Sequence, residues 1–332
     1  MVISKTPLRC SFFGGGTDFS AYYENTKLGY GATISTALDM FVYITVNHNF
    51  DGKIRLCYSG NELVNHVDEV KHNIIREALK LTGIDGGIEI IYSADIPLSG
   101  AGIGLASSSA LAVGVLNALY SFKGQYVPPD ELAKQACIIE IEKLGQKIGI
   151  QDQYAVSYGG FNRYRYNNNG SVDVIPVICD NAIKLKLQEN FLLFYTGLTR
   201  DSNNILNEQV NNINDNTLIL DDLVETVNTA YLDLVNGNID NWGLLLDKTW
   251  KLKKQFSVGV SNNLIDGMYN KAKNAGALGG KILGAGGGGF MLLYVPIEKQ
   301  VFVKNALSEY RQVNFKFEPH GTSIIFYNKG KQ

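Results

Sequence analysis

Apolar positions along this chain recur with two different periods, and the switches between them mark out its elements. Phe41 to Val46 alternates and is rich in β-formers, and Ile88 to Tyr92 does the same, so both are predicted strands. Between them, Val67 to Leu81 carries apolar residues at helical spacing and stops before the pair Thr82-Gly83. Leu111 to Phe122 reads as a helix. Pro128-Pro129 opens another, with Asp130 and Glu131 beside its positive end, and it runs through Ile138, Ile139 and Ile141 to about Gly145. Phe161 to Ile178 reads as a hairpin about Asn167-Asn168-Asn169-Gly170.

A boundary is expected in the stretch Asn181 to Asn190, giving units of residues 1–185 and 186–332. Beyond it Phe191 to Tyr195 is a buried-type strand, and Asn203 to Lys254 is largely helical. The Asn-rich part, Asn203 to Asn216, keeps Ile205, Leu206, Val210 and Ile213 at helical spacing, as a polar-faced helix or a lid would. The tail adds a helix (Leu264 to Ala275), a strand (Phe290 to Val295), a helix (Glu298 to Arg311) and a strand (Ser323 to Tyr327).

Composition narrows the function classes. With 45% hydrophobic and 19% charged residues the chain is an ordinary globular sequence, and its net charge of −2 exerts no pull toward nucleic acid or an anionic membrane. No apolar run is long enough to span a bilayer, and the first residues lack the basic start and apolar core of a signal peptide. The four cysteines show no CxxC spacing, so reduced thiols in a cytoplasm are expected. The four histidines form no HExxH or Cys/His cluster, which argues against zinc.

Candidate chemistry lies in three small-residue segments. Gly100, Gly102, Gly104, Ala106, Ser107, Ser108 and Ser109 lead straight into the Leu111 helix, where close-approaching amides and a helix N-terminus suit a polyphosphate. The bland reading is a Ser-rich N-cap. Gly284 to Gly289 leads into the Phe290 strand; Gly284, Gly286 and Gly289 satisfy GxGxxG, yet a strand follows where a dinucleotide fold needs a helix. A Walker A loop is absent, since Ala275 to Ile282 has Ala first and Ile last, and HRD and DFG are missing. The third segment places Arg9 before Gly14-Gly15-Gly16-Thr17-Asp18, a cation, a glycine turn and a hydrogen-bonding pair suited to a polyol. Asp152, between Gly149 and Gly159-Gly160, could accept a proton from an attacking hydroxyl, although spacing alone favours a helix-capping Asp.

In this order the segments resemble the GHMP kinase family, whose N-terminal substrate motif, P-x-x-x-G-L-G-S-S-A phosphate loop and C-terminal G-x-G-x-G-G loop they match. Two departures are visible: Pro97 to Gly104 is longer than usual, and Ala106 stands where the family has glycine. The resemblance implies an α+β, two-domain fold, with an N-terminal domain like the second domain of ribosomal protein S5 and a ferredoxin-like C-terminal domain, the site lying between them. It implies ATP and Mg²⁺, the metal held by Ser108 (with Ser107 as competitor) and Glu140 (with Glu142 as competitor). Asp152 becomes the catalytic base and Arg9 its electrostatic helper, while Gly15, Gly16, Thr17, Asp18, Gly286 and Gly287 face the acceptor. Leu8-Arg9 to Asp18, Gly149 to Phe161, and Phe194 to Arg200 look most like the D-glycero-D-manno-heptose 7-phosphate kinases. That subgroup implies phosphorylation of an anomeric hydroxyl, supply of an activated heptose for surface polysaccharide, and a second anion site. Arg200 leads for that site, ahead of Lys147, Arg163 and Arg165. Small-molecule partners are expected, with room for a homodimer. The competing readings are a galactose- or fucose-type kinase, a non-catalytic sugar and nucleotide sensor, and an NAD-binding enzyme.

Overall fold

A long antiparallel pair organises the N-terminal half: β1 (Val2–Phe13) lies against β2 (Tyr30–His48) from Val2–Val46 to Phe13–Ile34. The computed structural model describes residues 1–96, 104–198 and 203–328, with no side-chain description at residues 203, 204 and 258. From Thr6 onward β1 is buried on both faces, so it reads as an unbroken run rather than an alternation. β3 (Ile54–Cys57), β4 (Asn61–Val64) and β5 (Ile88–Ala94) extend the sheet beyond the second half of β2, and β6 (Phe161–Asn167) and β7 (Val172–Pro176) pair beside its first half. β6 and β7 are the expected hairpin.

Helices α1 (Ser20–Tyr23), α2 (Asn73–Thr82), α3 (Ser107–Phe122), α4 (Pro129–Cys137) and α5 (Gln151–Tyr158) accompany this sheet. α2 buries Ile74, Ile75, Ala78 and Leu79 and ends at Gly83, which takes the left-handed conformation (φ 67°). It starts later than the spacing predicts: Val67–Glu69 is a separate 3₁₀ turn, because the Glu62 carboxylate accepts the Lys71 and His72 N–H groups (2.6 and 3.1 Å) and Val70 stays extended. α3 is buried from Ser109 to Leu116 and forms the core of this half. α4 opens on a proline and then widens into a π-helical turn over Ile138–Lys143, which carries Glu140.

The C-terminal half holds β8 (Phe191–Tyr195), β9 (Gly279–Ile282), β10 (Phe290–Tyr294) and β11 (Arg311–Val313) in the antiparallel order β11-β8-β10-β9. Its helices are α6 (Asn181–Glu189), α7 (Asn203–Asn211), α8 (Thr217–Val235), α9 (Trp242–Phe256), α10 (Asn263–Asn274) and α11 (Gln300–Ala306). Strand order and helix placement are those of a ferredoxin-like βαββαβ layer. The predicted helix Glu298 to Arg311 is shorter, since its last residues turn to deliver Arg311 to β11. Trp250, Ile265, Met268, Ile282, Met291 and Leu293 fill this layer's core.

The sheets do not part at 185/186. β12 (Phe317–Glu318) pairs with β2 and β13 (Ser323–Tyr327) with β1, so the end of the chain returns to the first sheet, where the Thr322 hydroxyl bonds that of Thr6 (2.8 Å). Phe12 and Phe13 on β1 pack edge-on against Trp242 of α9, at ring separations of 5.4 and 4.9 Å, joining the halves. One cleft of about 780 Å³ opens between them.

Candidate active site

α3 begins in this cleft. Ala106, its N-cap, sits at φ 63°, the only non-glycine residue with positive φ among those described. An alanine there is strained by about 1 kcal/mol, and the turn it makes aims the first amides of α3 at the cleft. Gly104, Ala106, Ser107, Ser108 and Ser109 all line it. The free N–H groups and positive end of a 16-residue helix make an anion cradle here. The second glycine loop closes on the first: a Cβ on Gly284 would lie 2.5 Å from the Gly104 Cα. Gly100 and Gly102 lie outside the described residues.

Behind the serines, Glu140 is fully buried. Its Oε2 accepts from the Ser109 hydroxyl (2.7 Å) and the Gln153 amide (2.6 Å), while Oε1 is buried with no hydrogen-bond partner among the described residues. Burial pushes this carboxyl up from its ordinary value, the Ser109, Ser108 and Gln153 donors oppose the rise, and Asp152 adds to it. An orphaned carboxylate oxygen beside an exposed Ser108 hydroxyl fits a hard cation that takes one or two protein oxygens and keeps other ligands from water and phosphate. Glu142 is turned to solvent.

Across the cleft floor Arg9, nearly wholly buried on β1, grips Asp152 in the first turn of α5. Its Nε donates to Oδ1 (2.8 Å) and Nη2 to Oδ2 (2.7 Å), while Nη1 donates to the Gly104 carbonyl (2.7 Å). The fork fixes the orientation of a carboxylate that remains 25% exposed to the cleft. Asp18 lies alongside, its Oδ1 accepting from the Gly16 N–H (3.0 Å) and Oδ2 from the Gln151 N–H (3.3 Å). Burial raises its carboxyl above the usual range, and the Asp152 charge adds to that against the two amides. Gly149 is required at this point, because a Cβ there would sit 2.0 Å from Asp18 Oδ2.

Several expected residues are placed elsewhere. Thr17 is buried away from the cleft, its hydroxyl lying 2.8 Å from both the Gly14 and the Ala32 carbonyls, which share its one proton, and accepting the Ala32 N–H, so it pins the glycine turn to β2. Gly286 and Gly287 pack against Val260, whose carbonyl accepts the Gly287 N–H (2.7 Å); Gly284 and Ala285 face the cleft in their place. Arg163 donates to Asn228 (2.7 Å) and lies over Tyr231, Arg165 lies over Tyr30, and Lys147 is exposed outside the cleft lining. Arg200 lies outside the described residues. Gly15 and Gly16 line the cleft as expected, and α7 covers one side with Leu206 and Gln209.

Two groups of lining residues carry no motif. The first is an aromatic wall: Tyr58 meets His72 edge-on at 5.0 Å, with Tyr92 and Ile74 beside them. The His72 Nδ1 and Tyr92 hydroxyl are buried with no hydrogen-bond partner among the described residues, and burial lowers His72 below its ordinary value, which favours the neutral ring at pH 7. A flat heteroaromatic ring fits such a wall. The second group is a pair of buried lysines, Lys253 on α9 and Lys281 on β9. Lys253 donates to the Gly284 carbonyl; Lys281 donates to the carbonyls of Ser11 (3.0 Å) and Phe12 (3.2 Å). Burial pulls the Lys253 ammonium down to about 8 with help from Arg9, while Asp18 and Asp152 oppose. Burial, then Lys253, holds Lys281 well below its ordinary value.

Comparison with known proteins falls on the same ground. Residues 65–160 match the GHMP kinases N terminal domain and residues 230–311 the GHMP kinases C terminal domain. A D-glycero-alpha-D-manno-heptose 7-phosphate kinase of Campylobacter jejuni is 30% identical, over 96% of this chain and 97% of that protein. A crystal structure described as a putative sugar kinase, also from Campylobacter jejuni, superposes with a TM-score of 0.74 at 26% identity, covering 97% of each chain. Another, described as a D-glycero-D-manno-heptose 1-phosphate kinase from Bacteriodes thetaiotaomicron, reaches a TM-score of 0.82 over 99% of this chain and 100% of that one, and at 22% identity it shares the fold. No helix of the described residues is long and apolar enough to cross a membrane.

Proposed function

The chain belongs to the GHMP kinase family and is an ATP-dependent sugar kinase; from that premise we propose that it phosphorylates the anomeric hydroxyl of D-glycero-D-manno-heptose 7-phosphate, giving the 1,7-bisphosphate and ADP. The observation that carries the chemistry is the Arg9–Asp152 fork on the cleft floor, facing the N-terminus of α3. The acceptor is inferred from the heptose 7-phosphate kinase relative and from the three matched segments.

The acceptor hydroxyl gives its proton to the Asp152 carboxylate as its oxygen bonds to the γ-phosphorus, the bond from that phosphorus to the β–γ bridging oxygen breaks, and ADP leaves. Arg9 uses three of its five N–H donors on Asp152 and Gly104, so two remain for oxygens of the transferring group. The amides at Ser107 to Ser109 stabilise phosphate charge from fixed positions. Glu140 and Ser108 would hold Mg²⁺, which when bound neutralises charge on the nucleotide phosphates. Asp18, fixed by two amides, accepts hydrogen bonds from sugar hydroxyls. The aromatic wall at Tyr58, His72 and Tyr92 takes the nucleobase.

Asp152→Asn tests the base: kcat falls by about 10²–10⁴ with the KM for ATP unchanged. Undiminished kcat would sink the assignment. ADP release across a panel of heptose 7-phosphate, mannose 6-phosphate, galactose, fucose and mevalonate tests the acceptor. The highest kcat/KM on the heptose phosphate is the expected result; a higher kcat/KM on a free sugar or mevalonate redirects the substrate, and silence with ATP bound points to a sensor.

A further inference from the structure

We propose that Lys253 and Lys281 form a second phosphate subsite in the cleft, which holds the phosphate monoester carried by the acceptor itself. This rests on the kinase reading above and names residues for a part of it that the motifs leave unassigned. Among the described residues, three Arg or Lys side chains line the cleft: Arg9, Lys253 and Lys281. Arg9 is neutralised by its fork to Asp152. Neither lysine has a carboxylate within ion-pair distance among the described residues, although Lys253 is 5% and Lys281 2% exposed.

A buried ammonium without a counter-charge is costly, and such groups are kept where an anion arrives to pair with them. Donor accounting agrees. Lys253 uses one N–H on Gly284 and has two to spare; Lys281 uses two, on Ser11 and Phe12, and has one. Both come from the ferredoxin-like layer, Lys253 held at the Gly284 carbonyl of the second glycine loop and Lys281 at the β1 carbonyls of Ser11 and Phe12, so neither belongs to the helix-start cradle at Ser107 to Ser109. Lys281 rests on the carbonyls that follow Arg9 and precede the glycine turn at Gly14 to Gly16, which is the acceptor's end of the cleft. Of the other cations weighed from sequence, Arg163 and Arg165 are held by Asn228, Tyr231 and Tyr30 outside the cleft lining.

The test compares the complete wild-type chain with Lys253→Met, Lys253→Arg and Lys281→Met in an ADP-release assay. The acceptors are D-glycero-D-manno-heptose 7-phosphate and the same heptose without its phosphate. Lys253→Met should raise the KM for the phosphorylated acceptor by about 10–100-fold, the loss expected for a charge-assisted hydrogen bond, with the KM for ATP unchanged. Turnover of the unphosphorylated heptose should be the same in both proteins, and Lys253→Arg should restore most of the affinity. Equal losses on the two acceptors, or a rise in the KM for ATP instead, would overturn the proposal, the second outcome assigning the lysines to the nucleotide. If no heptose is turned over, the acceptor reading fails by itself. Calorimetric binding of inorganic phosphate to the Mg·ADP-loaded protein then decides, with about 10-fold weaker binding in both Met variants supporting the subsite and equal binding refuting it.

Discussion

Replacing Lys253 by methionine should make the ligand-free protein more stable. Methionine, one atom shorter and unbranched, keeps an apolar chain at this buried position of α9, and the change removes a positive charge that has no carboxylate within ion-pair distance among the described residues. Burial holds this ammonium at about 8 against an ordinary 10.5, an interval worth about 3 kcal/mol at 1.36 kcal/mol per pKa unit. Loss of the hydrogen bond to the Gly284 carbonyl returns about 1 kcal/mol, leaving a gain of about 2 kcal/mol, or roughly 3 °C in Tm for a chain of this size. The pH dependence is the sharper signature. Below about pH 8 the lysine is protonated in folded and unfolded chains alike, and the folded wild type bears the whole penalty. From pH 8 to 10.5 the folded state releases the proton while the unfolded chain keeps it, so wild-type stability rises with pH through that window. The advantage of Lys253→Met is therefore largest at pH 7 and shrinks toward pH 10. Denaturant unfolding of both proteins at pH 7.0 and 9.5 measures it. A variant that is less stable at pH 7, or an advantage independent of pH, would refute the claim that Lys253 is an uncompensated buried charge.

Four other substitutions probe the cleft. Glu140→Gln removes the orphaned Oε1 charge and should raise the Mg²⁺ concentration needed for half-maximal ADP release, whereas Glu142→Gln, on a solvent-facing side chain, should leave it alone; the opposite pattern would move the metal ligand. Ala106→Gly relieves a left-handed alanine and, after glycine's extra freedom in the unfolded chain, should add at most about 0.5 kcal/mol of stability, so a clear loss in thermal unfolding would contradict the strain. Gly149→Ala drives a methyl into Asp18 and should lower kcat/KM for the acceptor by about 10²-fold with ATP binding intact by calorimetry; unchanged acceptor kinetics would remove Asp18 from the acceptor site.

What could be read ahead of the structure follows from where each signal is written. The β6–β7 hairpin, α2's end at Gly83 and the start of α4 are set by local chemistry, an Asn-Gly turn, a left-handed glycine and a proline, and these were legible. β1 was harder, because burial on both faces erases the alternation by which a strand is recognised. The return of β13 to β1 depends on partners 318 or more residues apart, which no local period records. In the site, the positions of Arg9, Asp18, Asp152 and Glu140 were legible through motif order, while Thr17, Gly286 and Gly287 show that belonging to a motif does not place a residue in the cleft lining. The lysines left a fainter mark. The buried residues of α9 are Trp242, Gly243, Leu246, Thr249, Trp250, Lys253 and Phe256, so Lys253 is the lone charge on that face, beside Lys251 and Lys254, which reach outward and pair with Asp247 and Asp266. Lys281 is likewise the lone charge in a strand buried at every position. A buried cation that is the lone charge of its element's buried face, with no carboxylate within ion-pair distance among the described residues, is a charge awaiting a ligand, which is why these two positions point to the substrate's own phosphate.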